Sequence, residues 1–405
     1  MSHPSRRTVL TSTGAIAGVL GLGATAASAV PPPKKHGRCQ GSYHEQAVAW
    51  SGYEGAPHVR IPALAVAPSG DLLLAFDMRP GDGSDSPNPN SLWQRRSRDG
   101  GRTWGDPTVI QQGHESSEPN SQYGFSDPSY VVDRERGTVF CFSVYSKDAG
   151  VLASALGNDD EDRDVISAAV ATSHDDGRTW TERLITDVVK PANCRAMFAS
   201  SGAGIQLRYG PHAGRLIQQY AGWFVQDDGS EKVSAYSVYS DDHGETWTMG
   251  EPVGDSMDEN KVVELSDGTV MLNSRENTRT GHRWVALSHD GGQTWTDLHR
   301  DPHLVDPGNN AQITRAYPDA PEGSAKAKVL LFSHADHLPN DRVNGTIELS
   351  EDDGRTWIRK RTFQRGECQY SVIIPVGRDR FLLAYEAAGI TIMTARLDMD
   401  WILSR

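Results

Sequence analysis

Three arginines stand in contexts suited to anion recognition. Arg60 precedes Ile61-Pro62-Ala63-Leu64 at the entrance to an apolar segment, Arg275 closes Leu272-Asn273-Ser274-Arg275, and Arg342 sits in a polar stretch ahead of another strand-like run. A guanidinium fork bonds a carboxylate through two parallel N–H donors, so three converging forks would hold one carboxylate firmly. Read singly, each is more ordinarily a surface ion-pair partner. The chain as a whole carries a formal net charge of −13. That field argues against nucleic acid or an anionic membrane as partner, and any anionic ligand needs a local cationic pocket.

The elements that must position these arginines are announced by a repeated octet. S-x-D-x-G-x-T-W begins at Ser97, Ser173, Ser240, Ser288 and Ser350, ending at Trp104, Trp180, Trp247, Trp295 and Trp357. The pattern fits a hairpin turn, with Asp bonding back to turn amides, Gly at positive φ, and Thr and Trp opening the outgoing strand. One such hairpin per widely spaced repeat is what radially arranged four-stranded sheets produce. By themselves the boxes read as stability devices, not chemistry. Between them the pattern stays β. Ile61 to Ala67 and Leu72 to Phe76 flank a Pro-Ser-Gly-Asp turn, and the design recurs around Ser266-Asp267-Gly268 and Gly377-Arg378-Asp379. The expected fold is therefore all-β: a six-bladed β-propeller of four-stranded antiparallel sheets, forming a single domain over residues 43–405. The strand near Ile390 to Leu397 would pair with N-terminal sequence to close the ring. Irregular segments at 80–90, 147–164, 223–231 and 336–344 are the expected carriers of binding groups.

At the N-terminus, Ser5-Arg6-Arg7-Thr8-Val9-Leu10, an apolar run from Ala15 to Ala26, and Ala27-Ser28-Ala29 read as a twin-arginine export signal over residues 1–29. A stiff, charged linker over 30–42 follows. The apolar run is short for a membrane anchor, so a secreted protein without membrane insertion is expected. Cys39, Cys141, Cys194 and Cys368 show no metal-ligand spacing and are expected as free thiols or a single bridge. His334-Ala335-Asp336-His337 is a weak metal-like cluster, read more simply as exposed loop histidines.

Taken together, Arg-Ile-Pro-Ala-Leu, the five boxes, Asp258-Glu259-Asn260 and a late tyrosine before a strand resemble the bacterial exo-sialidase (neuraminidase) family, in particular its secreted actinomycete type. The resemblance runs from about residue 43 to the C-terminus. It implies that Arg60, Arg275 and Arg342 clamp the carboxylate of a sialic acid, and that Tyr370 is the nucleophile with Glu259 as its base. It further implies Asp85 as general acid/base, Glu386 as the carboxylate orienting the first arginine, and Asp127 as a contact to the sugar's substituents. Asp82 or Asp77 could replace Asp85, Glu264 rivals Glu259, Tyr385 and Tyr123 rival Tyr370, and Asp127 could be only a turn residue.

The implied activity is retaining hydrolysis of terminal sialic acids through a covalent sialyl-tyrosine, with no metal or cofactor. Sialylated glycans, glycoproteins or gangliosides would be the partners, and a compact monomer without a carbohydrate-binding module is expected. Transfer to another sugar, with Trp223 and Phe224 as an acceptor platform, or action on a related nonulosonic acid, is the alternative. A non-catalytic glycan-binding propeller is the reading outside enzymology.

Overall fold

The computed structural model describes residues 41–118, 120–338 and 341–404. The expected export signal, Cys39 and all but the end of the linker lie outside these residues. The described chain is almost entirely β, with only two short α-helices among the described residues, Thr186–Val189 and Met399–Leu403. Leu64, Leu72, Leu74 and Phe76 are buried, and strands packed on both faces read as near-continuous apolar runs.

Five small sheets result, of seven, five, five, four and four strands, in a propeller-like arrangement. The sequence led us to expect six separate sheets. The difference lies in the 19-residue strand Arg359–Gly377, which runs unbroken through two sets of neighbours. Its first half pairs with Val343–Ser350 and its second half with Arg380–Ala387, merging what would otherwise be two sheets. The expected ring closure is present: Tyr43–Trp50 pairs antiparallel with Thr391–Asp398 along the outer edge of the seven-stranded sheet. The segment 223–231, expected to be irregular, instead contributes to the paired strands Leu216–Val225 and Glu231–Ser240.

The five boxes share one hydrogen-bond pattern. In the last, Ser350 Oγ accepts from Gly354 N at 2.9 Å and donates to Asp352 Oδ1 at 2.8 Å. Asp352 then accepts from Thr356 N at 2.8 Å and from Thr356 Oγ1 at 2.6 Å. Asp99, Asp175, Asp242 and Asp290 bond their own threonines in the same way. The box glycines lie against the neighbouring sheet. A Cβ on Gly244 would collide with the ring of Phe140, and one on Gly101 would crowd Leu382 and Arg396. Trp247 carries the same contact outward, meeting Phe140 and Phe142 edge-on. Each turn thus seals a junction between blades as well as a hairpin, and Gly101 seals the one where the ring closes.

Burial pushes the Asp352 carboxyl up, but its bonds from Thr356 and Ser350 outweigh this and hold it below its ordinary value. A depressed folded-state pKa stabilises the fold above the unfolded carboxylate value near 4 and loses that contribution as pH falls through the folded value. Asp352→Ala should therefore lower stability by roughly 1–2 kcal/mol at neutral pH. Urea midpoints of wild type and variant should converge as the pH is taken below about 4; a gap independent of pH would assign the loss to packing instead.

Candidate active site

Four strands that line the propeller axis break register where they present a polar side chain. The breaks fall between Arg60 and Ala63, Ser126 and Ser129, Met257 and Asn260, and Cys368 and Ser371. A bulge adds an unpaired residue to one strand and re-aims the side chains around it. Here the re-aimed groups are Arg60, Asp127, Asp258 with Glu259, and Tyr370. Because of the bulge at 257–260, neighbours that would alternate across a regular strand both reach one guanidinium. Arg275 lies 2.6 Å from Asp258 Oδ2 and 2.6 Å from Glu259 Oε2.

At the centre, Tyr370 Oη donates to Glu259 Oε1 at 2.5 Å and accepts from Arg275 Nη1 at 3.2 Å. The guanidinium carbons of Arg60 and Arg342 stand 5.7 and 5.3 Å from the centroid of the Tyr370 ring. The three arginines singled out from the sequence thus converge on one phenol. Burial pushes the Tyr370 hydroxyl well up, the Glu259 charge adds to this, and Arg275 and Arg342 oppose it. The phenol is therefore neutral at ordinary pH, with a carboxylate in place to receive its proton.

Arg60 is fixed by Glu386, whose oxygens accept from its Nε at 2.8 Å and its Nη2 at 3.2 Å. Glu386 Oε1 also accepts from the backbone N–H of Ile61 at 2.7 Å. Ile61 has φ 59°, a left-handed conformation costly for a β-branched residue, so the same carboxylate orients the arginine and helps hold the strained turn beneath it. Arg342 donates to Gly308 O at 2.6 Å, which anchors it without neutralising it.

A second group faces this one. Arg79, only 2 % exposed, donates through Nη2 to the fully buried Asp77 at 2.8 Å and through Nη1 to Asp85. Asp85 is 82 % exposed, so its carboxyl stands at the mouth of the site where a leaving group and water can both reach it. Asp77 Oδ1 accepts from the backbone N–H of Asp127 at 3.0 Å. Burial pushes Asp77 up to about 6 against the pull of Arg79. Burial, followed by the charges of Asp77 and Asp85, holds Asp127 well above its ordinary range.

Residues 70–381 match the family of BNR repeat-like domains. The chain belongs to that family. It is 50 % identical over 388 residues to the "Sialidase" of Micromonospora viridifaciens, covering 96 % of this chain and 58 % of that protein. The "Sialidase" of Bacteroides fragilis is 28 % identical over 349 residues, covering 84 % of this chain and 62 % of that protein. Among solved structures, Hadza microbial sialidase Hz136 superposes with a TM-score of 0.78 at 28 % identity, covering 89 % of this chain and 69 % of that one. The chain thus spans less than two thirds of the length of these two curated sialidases, while its described fold is shared with the solved one.

Within this BNR repeat-like chain, Asp77 is the one rival that stays at the site, on Arg79 and the Asp127 amide; the others fall away from it. Asp82 is an exposed turn residue bonded to Ser84, and Glu264 accepts the backbone N–H groups of Arg208 and Tyr209. Tyr385 is buried with its hydroxyl on Glu45, and Tyr123 packs against Phe125 and Tyr145. Phe224 is buried against Tyr236 and offers no platform, whereas Trp223 is only partly buried, 5.9 Å from Phe198. Contrary to the expected exposed loop, His334 is fully buried on the strand Leu330–Ala335 and bonds Glu348 at 3.0 Å. Lys360 already supplies a cation there, 2.9 Å from Asp336 and 3.3 Å from Glu348. Cys141, Cys194 and Cys368 are free and buried.

Arg79, Asp258 and Gln369, which donates no charge but accepts from Arg60 Nη2 at 3.2 Å, escaped the reading of the sequence. A signal existed for Arg79: Asp77-Met78-Arg79 alternates, so both charges share one strand face, and Asp77 pairs in register with Arg60. Asp258 was visible beside Glu259 but should point away from it in a regular strand.

Glu386→Ala would leave the Arg60 guanidinium and the strained Ile61 amide without their acceptor. A loss of roughly 3 kcal/mol is expected, as for other broken buried pairs, read from the chemical-denaturation midpoint. Glu386→Gln should recover part of it, since the amide oxygen can still accept from Ile61. Equal losses in the two variants would mean that the charge alone matters.

Proposed function

We propose that the chain is a secreted exo-α-sialidase that removes terminal sialic acids from glycoconjugates with retention of configuration, through a covalent sialyl-tyrosine. The observation that carries this reading is the 2.5 Å hydrogen bond from Tyr370 Oη to Glu259 Oε1 amid three arginines. The names of the relatives support the substrate class. The Arg6-Arg7 segment supports export. Treating the first half of Arg359–Gly377 as the outer strand of one blade and its second half as the inner strand of the next also favours a count of six.

Sialic acid bears its carboxylate on the anomeric carbon. Arg60, Arg275 and Arg342 would bind that carboxylate, fixing the carbon over Tyr370. An attacking Asp or Glu would meet the substrate's negative charge at close range in a water-poor site, where repulsion is costly. A neutral phenol avoids this, and sialidases with a tyrosine nucleophile are an exception among glycosidases for which this is a physical reason. As the C–O bond to Tyr370 forms, the phenolic proton passes to Glu259, and Arg275 stabilises the charge that develops between them. Asp85 gives its proton to the departing glycosidic oxygen. It then takes one from the water that attacks the anomeric carbon, and the departing Tyr370 oxygen recovers its proton from Glu259. Two inversions give net retention. Asp127, with its raised carboxyl pKa, suits a donor to a substituent of the sugar rather than a second negative charge beside it.

Tyr370→Phe should reduce retaining turnover by roughly a thousandfold or more while sialoside binding persists through the arginines. Asp85→Ala should cost about 10²–10⁴-fold on natural glycosides and far less on aryl sialosides, whose leaving oxygen needs little protonation. Proton NMR of an aryl α-sialoside during turnover tests the whole reading: α-sialic acid must appear first and mutarotate later. A β-anomer first would mean direct attack by water. Saturable binding without turnover would favour a non-catalytic glycan-binding propeller.

A further inference from the structure

The axial strands that end the catalytic pocket also build a second, cationic cavity further along. Leu64, Tyr130, Val263 and Ile374 line it, on the same strands as Arg60, Asp127, Glu259 and Tyr370 and three or four residues beyond them. At about 3.3 Å per residue this is roughly 10–13 Å down the axis, toward the end where the boxes turn. The cavity has a volume of about 130 Å³. That is comparable to the ~150 Å³ space known to accept a benzene ring, so a ligand of about six heavy atoms fits.

Its polar groups are unevenly satisfied. Arg315, 5 % exposed, lies over the Tyr209 ring and donates through Nη2 to Pro318 O at 2.8 Å. Its Nη1 is buried without a hydrogen-bond acceptor; its ion-pair partner Glu264, 3.4 Å away, spends its oxygens on the amides of Arg208 and Tyr209. Gln312 has the opposite deficit. Its Nε2 donates to Ile313 O at 3.0 Å, which leaves Oε1 buried without a donor. At the exposed rim, Arg208 pairs with Asp319 at 2.9 Å, while Arg134 has no ion pair among the described residues. Three guanidinium groups thus stand against two carboxylates, in a chain whose formal net charge is −13.

We propose that this cavity is a binding site for a small α-hydroxycarboxylate, distinct from the catalytic centre. The ligand's carboxylate would accept from Arg315 Nη1 and Arg134, and its hydroxyl would donate to Gln312 Oε1. One negative charge matches the single uncompensated guanidinium, whereas a phosphate dianion would overshoot it and offers the glutamine no proton.

Calorimetric titration of the full chain with lactate, acetate, lactamide and inorganic phosphate tests this. Lactate should bind saturably, acetate about tenfold more weakly for want of the hydroxyl, and lactamide not at all. Arg134→Ala, at the exposed rim, should weaken lactate about tenfold and leave turnover of an aryl sialoside unchanged. Arg342→Ala should leave the lactate titration unaltered. Loss of lactate binding in Arg342→Ala but not in Arg134→Ala would locate the ligand at the catalytic arginines and overturn the proposal. So would the absence of lactate binding, lactamide or acetate binding as tightly as lactate, or phosphate displacing lactate at equal concentration.

Discussion

The site depends on interrupted pairing. Four axial strands converge, and a regular ladder would send successive side chains to opposite faces with no means of gathering neighbours. The register breaks at Arg60–Ala63, Ser126–Ser129, Met257–Asn260 and Cys368–Ser371 turn side chains into the space above the axis. Each break gives up ladder hydrogen bonds, and the site's own charges replace several of them. Glu386 takes the Ile61 amide, Asp77 takes the Asp127 amide, and Asp258 takes the Glu259 amide at 2.6 Å. The acidic residues are thus backbone anchors as well as partners for arginines.

That dual use explains how so many charges are tolerated in little space. Arg60 with Glu386, Arg79 with Asp77 and Arg275 with Asp258 are paired, and each pair is further bonded to backbone. Buried charges survive only when paired and hydrogen-bonded. Tyr370 and Glu259, at the junction of these pairs, share one short hydrogen bond. Asp85 alone of these charges stands largely in solvent, which suits the proton exchange with water proposed for it.

The boxes act at the other end of each blade. Their aspartates lock hairpins internally, and their glycines and tryptophans bear on the adjacent sheet, so the ring is held at its far rim while the bulges open it at the near one. The pairing of Tyr43–Trp50 with Thr391–Asp398 ties the first described strand to the last and keeps the axial strands from splaying. Between the two rims the axis is packed by buried polar groups such as Lys261, whose Nζ donates to Ser200 Oγ and Asn310 Oδ1 at 2.9 and 2.8 Å.

The sequence by itself determined the all-β class, the positions of the turns and the closing strand, because these follow from local rules: alternation, turn chemistry and a repeated octet whose hydrogen bonds lie within eight residues. It also pointed to Arg60, Arg275, Arg342, Tyr370 and Glu259, through resemblance rather than spacing. Tertiary structure alone decided that Arg359–Gly377 joins two expected sheets into one, since whether a strand breaks between neighbours depends on partners far away in the chain. It alone brought Arg79 to Asp85, buried His334, and turned Asp258 and Glu259 to the same guanidinium. Bulges and long-range ion pairs leave no periodic trace, so the groups they bring together could be found only where the strands meet.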